Sequence, residues 1–189
     1  MVFQGIRDDF LSNTVNKQML LYILADHFSR AGCYVEHAKA DADLLIVQNT
    51  IAATHKNPAI NTVLVADDTY ILILLCWHVK PTTPCIYFGP EPWQQTKRAP
   101  RCWNMSVVRT FLGPDVCKNI IFMHAILGCA TTSALYGIEQ VIGLKLVRNS
   151  TSFLEQALVF STPSSTHAAV IAAGENALVL IYKLSLIHI

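Results

Sequence analysis

Apolar residues in this chain come in short blocks, and none of them is long enough to cross a bilayer. A membrane-spanning helix needs roughly 18 or more nearly uncharged apolar residues. The best run, Ile71–Val79, falls well short of that and has Asp67 and Asp68 just upstream. Short apolar blocks set between turn residues instead build strands and helices that cover one another. At 189 residues and 52% hydrophobic, the chain has enough material for one domain with a sizeable core. Charged residues make up only 14%, against roughly 25% in an ordinary globular chain. That composition excludes disorder. It points to a deeply buried α/β domain, or to part of one whose polar surface lies elsewhere. With 14 Lys+Arg against 13 Asp+Glu the net charge is +1, so nucleic-acid binding would have to come from local patches.

Met1–Phe10 does not resemble a secretory signal, because Arg7, Asp8 and Asp9 interrupt it. The six cysteines, at positions 33, 76, 85, 102, 117 and 129, are widely spaced in apolar settings. They read as reduced, buried thiols in an intracellular protein.

Along the chain, Asn13–Ala31 has the spacing of a helix, with Leu20, Leu21, Leu24 and Phe28 recurring on one face and Gly32 as its stop. Cys33–His37 is a strand candidate. Asp41 is placed to cap a helix reaching about Thr54, with Asp43 in its first turn. Asn57-Pro58 marks a turn. Thr62–Val65 and Cys85–Phe88 read as strands of the continuous apolar kind buried in parallel sheets. Glu91–Met105 reads as a polar loop. Pro114 opens a helix that runs through Val116–Leu127, Gly128–Gly137 connects, and Ser152–Phe160 and His167–Leu180 are two terminal helices. Alternating strands and helices predict a three-layer α/β/α domain with a mainly parallel sheet over residues 1–183. The last six residues, Leu184–Ile189, read as the translation of a sequencing-adapter end and are set aside from the fold.

Two acidic sites fall where a strand gives way to a helix: Asp41-Ala42-Asp43, and Asp67-Asp68. In a parallel sheet that is the carboxyl edge, where α/β folds place their ligands. Carboxylates gathered there suit Mg²⁺ or Mn²⁺, hard ions that take oxygen ligands. Two such ions can hold the attacking and leaving oxygens of a phosphodiester cleavage. The alternative is that Asp41 and Asp68 are helix N-caps and their neighbours serve the helix dipole.

Three segments occur in order: Asp41-Ala42-Asp43-Leu44-Leu45-Ile46-Val47, Val65-Ala66-Asp67-Asp68-Thr69-Tyr70, and the stretch from His124 through Gly128-Cys129-Ala130 to Gly137-Ile138-Glu139. Together they resemble the motifs of the flap-endonuclease/PIN-like nuclease superfamily, in particular its mobile-element-associated animal members. The opening Phe10-Leu11-Ser12-Asn13 with Asn16-Lys17 fits the same group. The resemblance implies a PIN/flap-nuclease-like fold, incomplete at the N-terminus, in which Asp41 and Asp43 match an acidic pair. Asp67 and Asp68 match the first two acids of an E-D-x-D pattern, of which Asp68 is the metal ligand. The pattern's last acid falls on Tyr70, and the acid of a G-C-D motif falls on Ala130. Asp41, Asp43 and Asp68 are then the matched ligands, too few for a two-metal site. Glu139 stands where the family's hairpin would approach a DNA phosphate. The resemblance thus implies a degenerate, structure-specific nuclease domain that has lost activity.

A second reading is a non-catalytic module that uses the Lys97–Trp103 loop to bind nucleic acid or a protein partner. Lys97, Arg98 and Arg101 lie among Trp93 and Trp103, and basic residues interleaved with aromatics suit single-stranded DNA or RNA. The same segment also reads as a solvated loop with its tryptophans folded onto the domain. The pairs Cys76/His78 and His124/Cys129 lack zinc-finger spacing and lie in apolar runs, so they read as buried neutral residues. Ser133 and His124 have no G-x-S-x-G elbow that would make them a hydrolase pair.

Overall fold

A computed structural model describes residues 10, 12–90, 102–129 and 134–186. The chain divides into two compact units, Met1–Ala42 and Asp43–Ile189.

The first unit contains α1 (Thr14–Arg30). Asn13 Oδ1 accepts from the backbone N–H groups of Val15 and Asn16 at 3.0 and 3.2 Å, which starts the helix as the spacing predicts. Gly32 ends it with φ at +84°. Its N–H donates to Ser29 O and that of Cys33 to Phe28 O, the paired closure that a left-handed residue makes possible. No residue of α1 is buried. The expected strand at Cys33–His37 is irregular chain. No second strand is present among the described residues of this unit, and a strand without a partner leaves its backbone polar groups unpaired.

The second unit opens with α2 (Asp43–Lys56). Its first helical residue is Asp43, so Asp41 lies one place before the cap position. Asp43 sits in the first turn, where the helix dipole favours a carboxylate. The turn at Asn57-Pro58 is closed by Ile60 N–H donating to Asn57 O. β1 (Thr62–Val65) follows, then α3 (Thr69–His78), and β2 (Ile86–Gly89) returns parallel to β1 with Thr62 opposite Ile86 and Val65 opposite Gly89. Among the described strands β1 lies at the edge of the sheet, and it is not buried on both faces: Val63 and Val65 are exposed while Leu64 packs inward, the period-two alternation of a half-covered strand.

Residues 91–101 of the expected loop lie outside the described residues. From Trp103 the expected loop is regular structure. β3 (Trp103–Asn104) pairs antiparallel with β2, and α4 (Met105–Leu112) starts at once. Asn104 joins the two: its Oδ1 accepts from Ser106 N and Val107 N, and its Nδ2 donates to Cys85 Sγ. Four helices complete the unit, α5 (Pro114–Leu127), α6 (Gln140–Asn149), α7 (Thr151–Ser161) and α8 (His167–Leu186). The protein is therefore mixed α/β, mostly helical, with a small three-stranded sheet.

The core centres on α3. Ile71, Ile73, Leu74, Leu75 and Cys76 are all buried, as expected for a helix that is apolar on every side. Helices α2, α4 and α5 pack around it. Each fully covered side chain of the Leu75 kind contributes about 1.5–3 kcal/mol of transfer free energy. α6 lies against α5 at Gly143, where an added Cβ would stand 2.5 Å from Leu127 Cδ1 and 2.6 Å from Met123 Cγ. Phe153 of α7 is fully buried, with the Phe122 ring at 5.4 Å. No helix among the described residues is long and apolar enough to cross a membrane. Cys76 and Cys117 are buried as expected, but Cys33 and Cys102 are exposed. Cys33 follows the cap of α1 in irregular chain, and Cys102 immediately precedes the edge strand β3.

Candidate functional site

Beyond the carboxyl end of β1, Ala66 N–H still donates to Gly89 O, so the chain leaves the sheet at Asp67 and Asp68. Both are exposed. Asp68 Oδ1 accepts from Tyr70 N–H at 2.7 Å and caps α3. The cap fixes the first turn of α3, and in that turn the Tyr70 ring stacks on the imidazole of His124, centroids 5.7 Å apart and planes 27° from parallel. His124 belongs to the last turn of α5. The second and third sequence motifs, far apart in the chain, thus meet through an aromatic contact.

His124 is only 9% exposed. Burial pushes its pKa below the ordinary 6.5, opposed in part by the negative charge of Asp68. The ring is therefore neutral near pH 7, with one N–H donor and one acceptor nitrogen.

The acidic residues are distributed as follows. Asp67 and Asp68 are adjacent at the start of α3. Asp43 is half-buried in the first turn of α2, a helix that packs on both α3 and β1. Asp41 belongs to the first unit. Among the described residues, no three His, Cys, Asp or Glu side chains form a group that could hold a metal ion. A pair of Mg²⁺ ions needs several converging carboxylate oxygens. Here the capping carboxylate of Asp68 already accepts a backbone N–H, and the neighbouring acid position is a phenol packed on a histidine. The described donors do not fit such a pair. Ala130, Ser133, Trp93, Lys97, Arg98 and Arg101 lie outside the described residues.

Next to His124 is a cavity of about 540 Å³. α3 supplies Leu72 and Ile73 to its wall, α4 supplies Val108, α5 supplies Ile120 and Met123, and α6 supplies Leu144. Among the described residues its polar side chains are Thr69, His124 and the Trp103 indole, and none that lines it is charged. The Cys76 thiol on its wall is pushed up to about 12, chiefly by burial, with Cys117 adding to the rise and the Arg109 guanidinium opposing it. It stays protonated and behaves as an apolar group. Arg109 donates to the carbonyl of Cys76, near the carboxyl end of α3. His78 packs edge-on against Trp77 at 4.5 Å, and burial lowers its pKa as well.

The cavity is the feature that sequence spacing does not reveal, since two of its four walls, α4 and α6, are absent from that reading. For α4 a signal exists: Asn104 stands at a cap position, and Met105, Val108 and Leu112 follow at helical spacing. For α6 the Gly143 in its middle weakens the helical pattern.

No family model, curated protein or solved structure matches the chain.

Proposed function

We propose that the chain is a degenerate PIN/flap-nuclease-like domain, three-layered α/β/α in ancestry, that has lost metal-dependent phosphodiester hydrolysis. The observation that carries this reading is the Tyr70–His124 stack. A position that would hold an acid in an active relative holds an aromatic ring, and that ring is built into the packing between α3 and α5. Further support comes from the motifs' order, from the strand-to-helix passage at Asp67-Asp68, and from the use of Asp68 as a helix cap. What remains to such a domain is binding, with DNA or RNA as the partner class through Lys97, Arg98 and Arg101.

The test is cleavage and binding of branched and single-stranded DNA in Mg²⁺ or Mn²⁺, comparing the wild type with the double variant Tyr70→Asp/Ala130→Asp. The expected result is no turnover by the wild type and recovered cleavage in the variant. Metal-dependent cleavage by the wild type itself would overturn the loss of activity. Absence of both cleavage and binding in the two proteins would overturn the nuclease ancestry.

A further inference from the structure

None of the motif acids lines the cavity between α3, α4, α5 and α6. Its volume of about 540 Å³ falls within the roughly 300–1,000 Å³ of small-molecule sites. Such sites combine apolar walls with a few placed polar groups, and here those groups are His124 and Thr69. His124 is more than nine-tenths buried, yet its ring nitrogens make no hydrogen bond within the described residues. No side-chain nitrogen or oxygen among those residues is sealed away without a partner. The imidazole is therefore not sealed off, and His124 is one of the residues that line this cavity. A neutral imidazole presents one donor and one acceptor nitrogen, either of which can bond an oxygen atom of a ligand.

The lining also selects against charge. Among the described residues of the wall a carboxylate would meet no Lys or Arg to offset its lost hydration. The field of Asp68, which acts on His124, would repel it further. A cation would find no carboxylate among the described residues of the lining.

We propose that this cavity binds a small uncharged amphiphile: a hydrocarbon body seated among Leu72, Ile73, Val108, Ile120 and Met123, and one hydroxyl or carbonyl oxygen hydrogen-bonded to His124. Thr69 offers that oxygen a second hydrogen bond. Thr69 and His124 also belong to the second and third motif segments, but none of the motif acids lines the cavity, so the proposal does not rest on the nuclease ancestry.

The full chain is titrated with the uncharged fluorophore N-phenyl-1-naphthylamine, which is then displaced with 1-decanol or decanoate. The expected result is saturable binding of one equivalent, displaced by decanol at concentrations about tenfold below those of decanoate. His124→Phe should weaken decanol about tenfold, the equivalent of one hydrogen bond, and change fluorophore affinity less than twofold. Leu72→Trp and Leu144→Phe, each checked for a native circular-dichroism spectrum and melt, should fill the space and abolish both. Equal displacement by decanoate, no saturable binding to the wild type, or decanol displacement unchanged by His124→Phe would overturn the proposal. So would binding that survives the folded cavity-filling variant and is lost in Ala157→Trp, because that places the probe in the separate apolar cavity by Trp77, Phe122 and Phe160.

Discussion

The two neighbouring aspartates at the head of α3 differ in what they touch, and that difference can be measured. Asp68 accepts a backbone N–H from Tyr70, whereas Asp67 is exposed and has no role in the cap. Asp68→Ala is expected to destabilise the fold by about 1 kcal/mol, with Asp68→Asn close to wild type. Asp67→Ala should stay within about 0.5 kcal/mol. Urea unfolding distinguishes these outcomes, and equal costs at the two positions would contradict the cap. His124 makes a second prediction, about pH. Its folded pKa lies below the ordinary 6.5, so between those two values the unfolded chain binds the extra proton and the native state does not. Stability is then flat above about pH 6.5 and falls as pH drops through 6.5 toward the folded value. His78 shifts in the same direction, so His124→Phe should reduce this slope without removing it, as followed by melting temperature from pH 8 to 5. Asp68's capping role was legible in the sequence, because a cap is a local matter of one side chain and the next two residues. The stack of Tyr70 on His124 was not, because nothing in either motif names the other as its neighbour.

Two helical glycines make opposite predictions. At Gly143 a methyl group would meet Leu127 and Met123 at 2.5 and 2.6 Å, both in the packed α5–α6 contact. Crowding of this kind costs about 1–3 kcal/mol and outweighs the gain in helix propensity of about 1 kcal/mol from Gly to Ala. Gly174 in α8 has only Phe160 Cζ nearby, at 3.6 Å, an ordinary contact. Gly143→Ala should therefore lower the urea midpoint and Gly174→Ala should raise it. The same pair shows where sequence reading of elements succeeds. α8 is recognisable despite its glycine because it is long and strongly apolar on its buried face, with Ala173, Ala177 and Ile181 inward. α6 is shorter, and its glycine is there for the neighbour's side chains, information that the local pattern does not hold.

At the scale of the whole molecule the division at Ala42 makes a prediction for limited proteolysis. The Cys33–Asp41 segment lacks regular structure, Tyr34 in it is 84% exposed, and no residue of α1 is buried. Brief digestion should cut within residues 33–42 and leave a resistant product that starts near Asp43 and melts cooperatively. First cuts inside α3 or α5 would contradict this. Unaided, the sequence determined the class and most of the parts: an α/β chain, the position of β1, the glycine stop of α1, the Asp68 cap of α3, the Pro114 start of α5. These follow from local chemistry, namely which residue accepts an exposed N–H, which can take a left-handed turn, and how apolar residues are spaced. Only the tertiary structure decided that β1 lies at an edge with one face open, that Tyr70 meets His124, and that four helices leave an apolar cavity beside a buried imidazole. Those outcomes depend on which distant surfaces pack together, and side-chain volume in three dimensions settles that, not the order of residues along the chain.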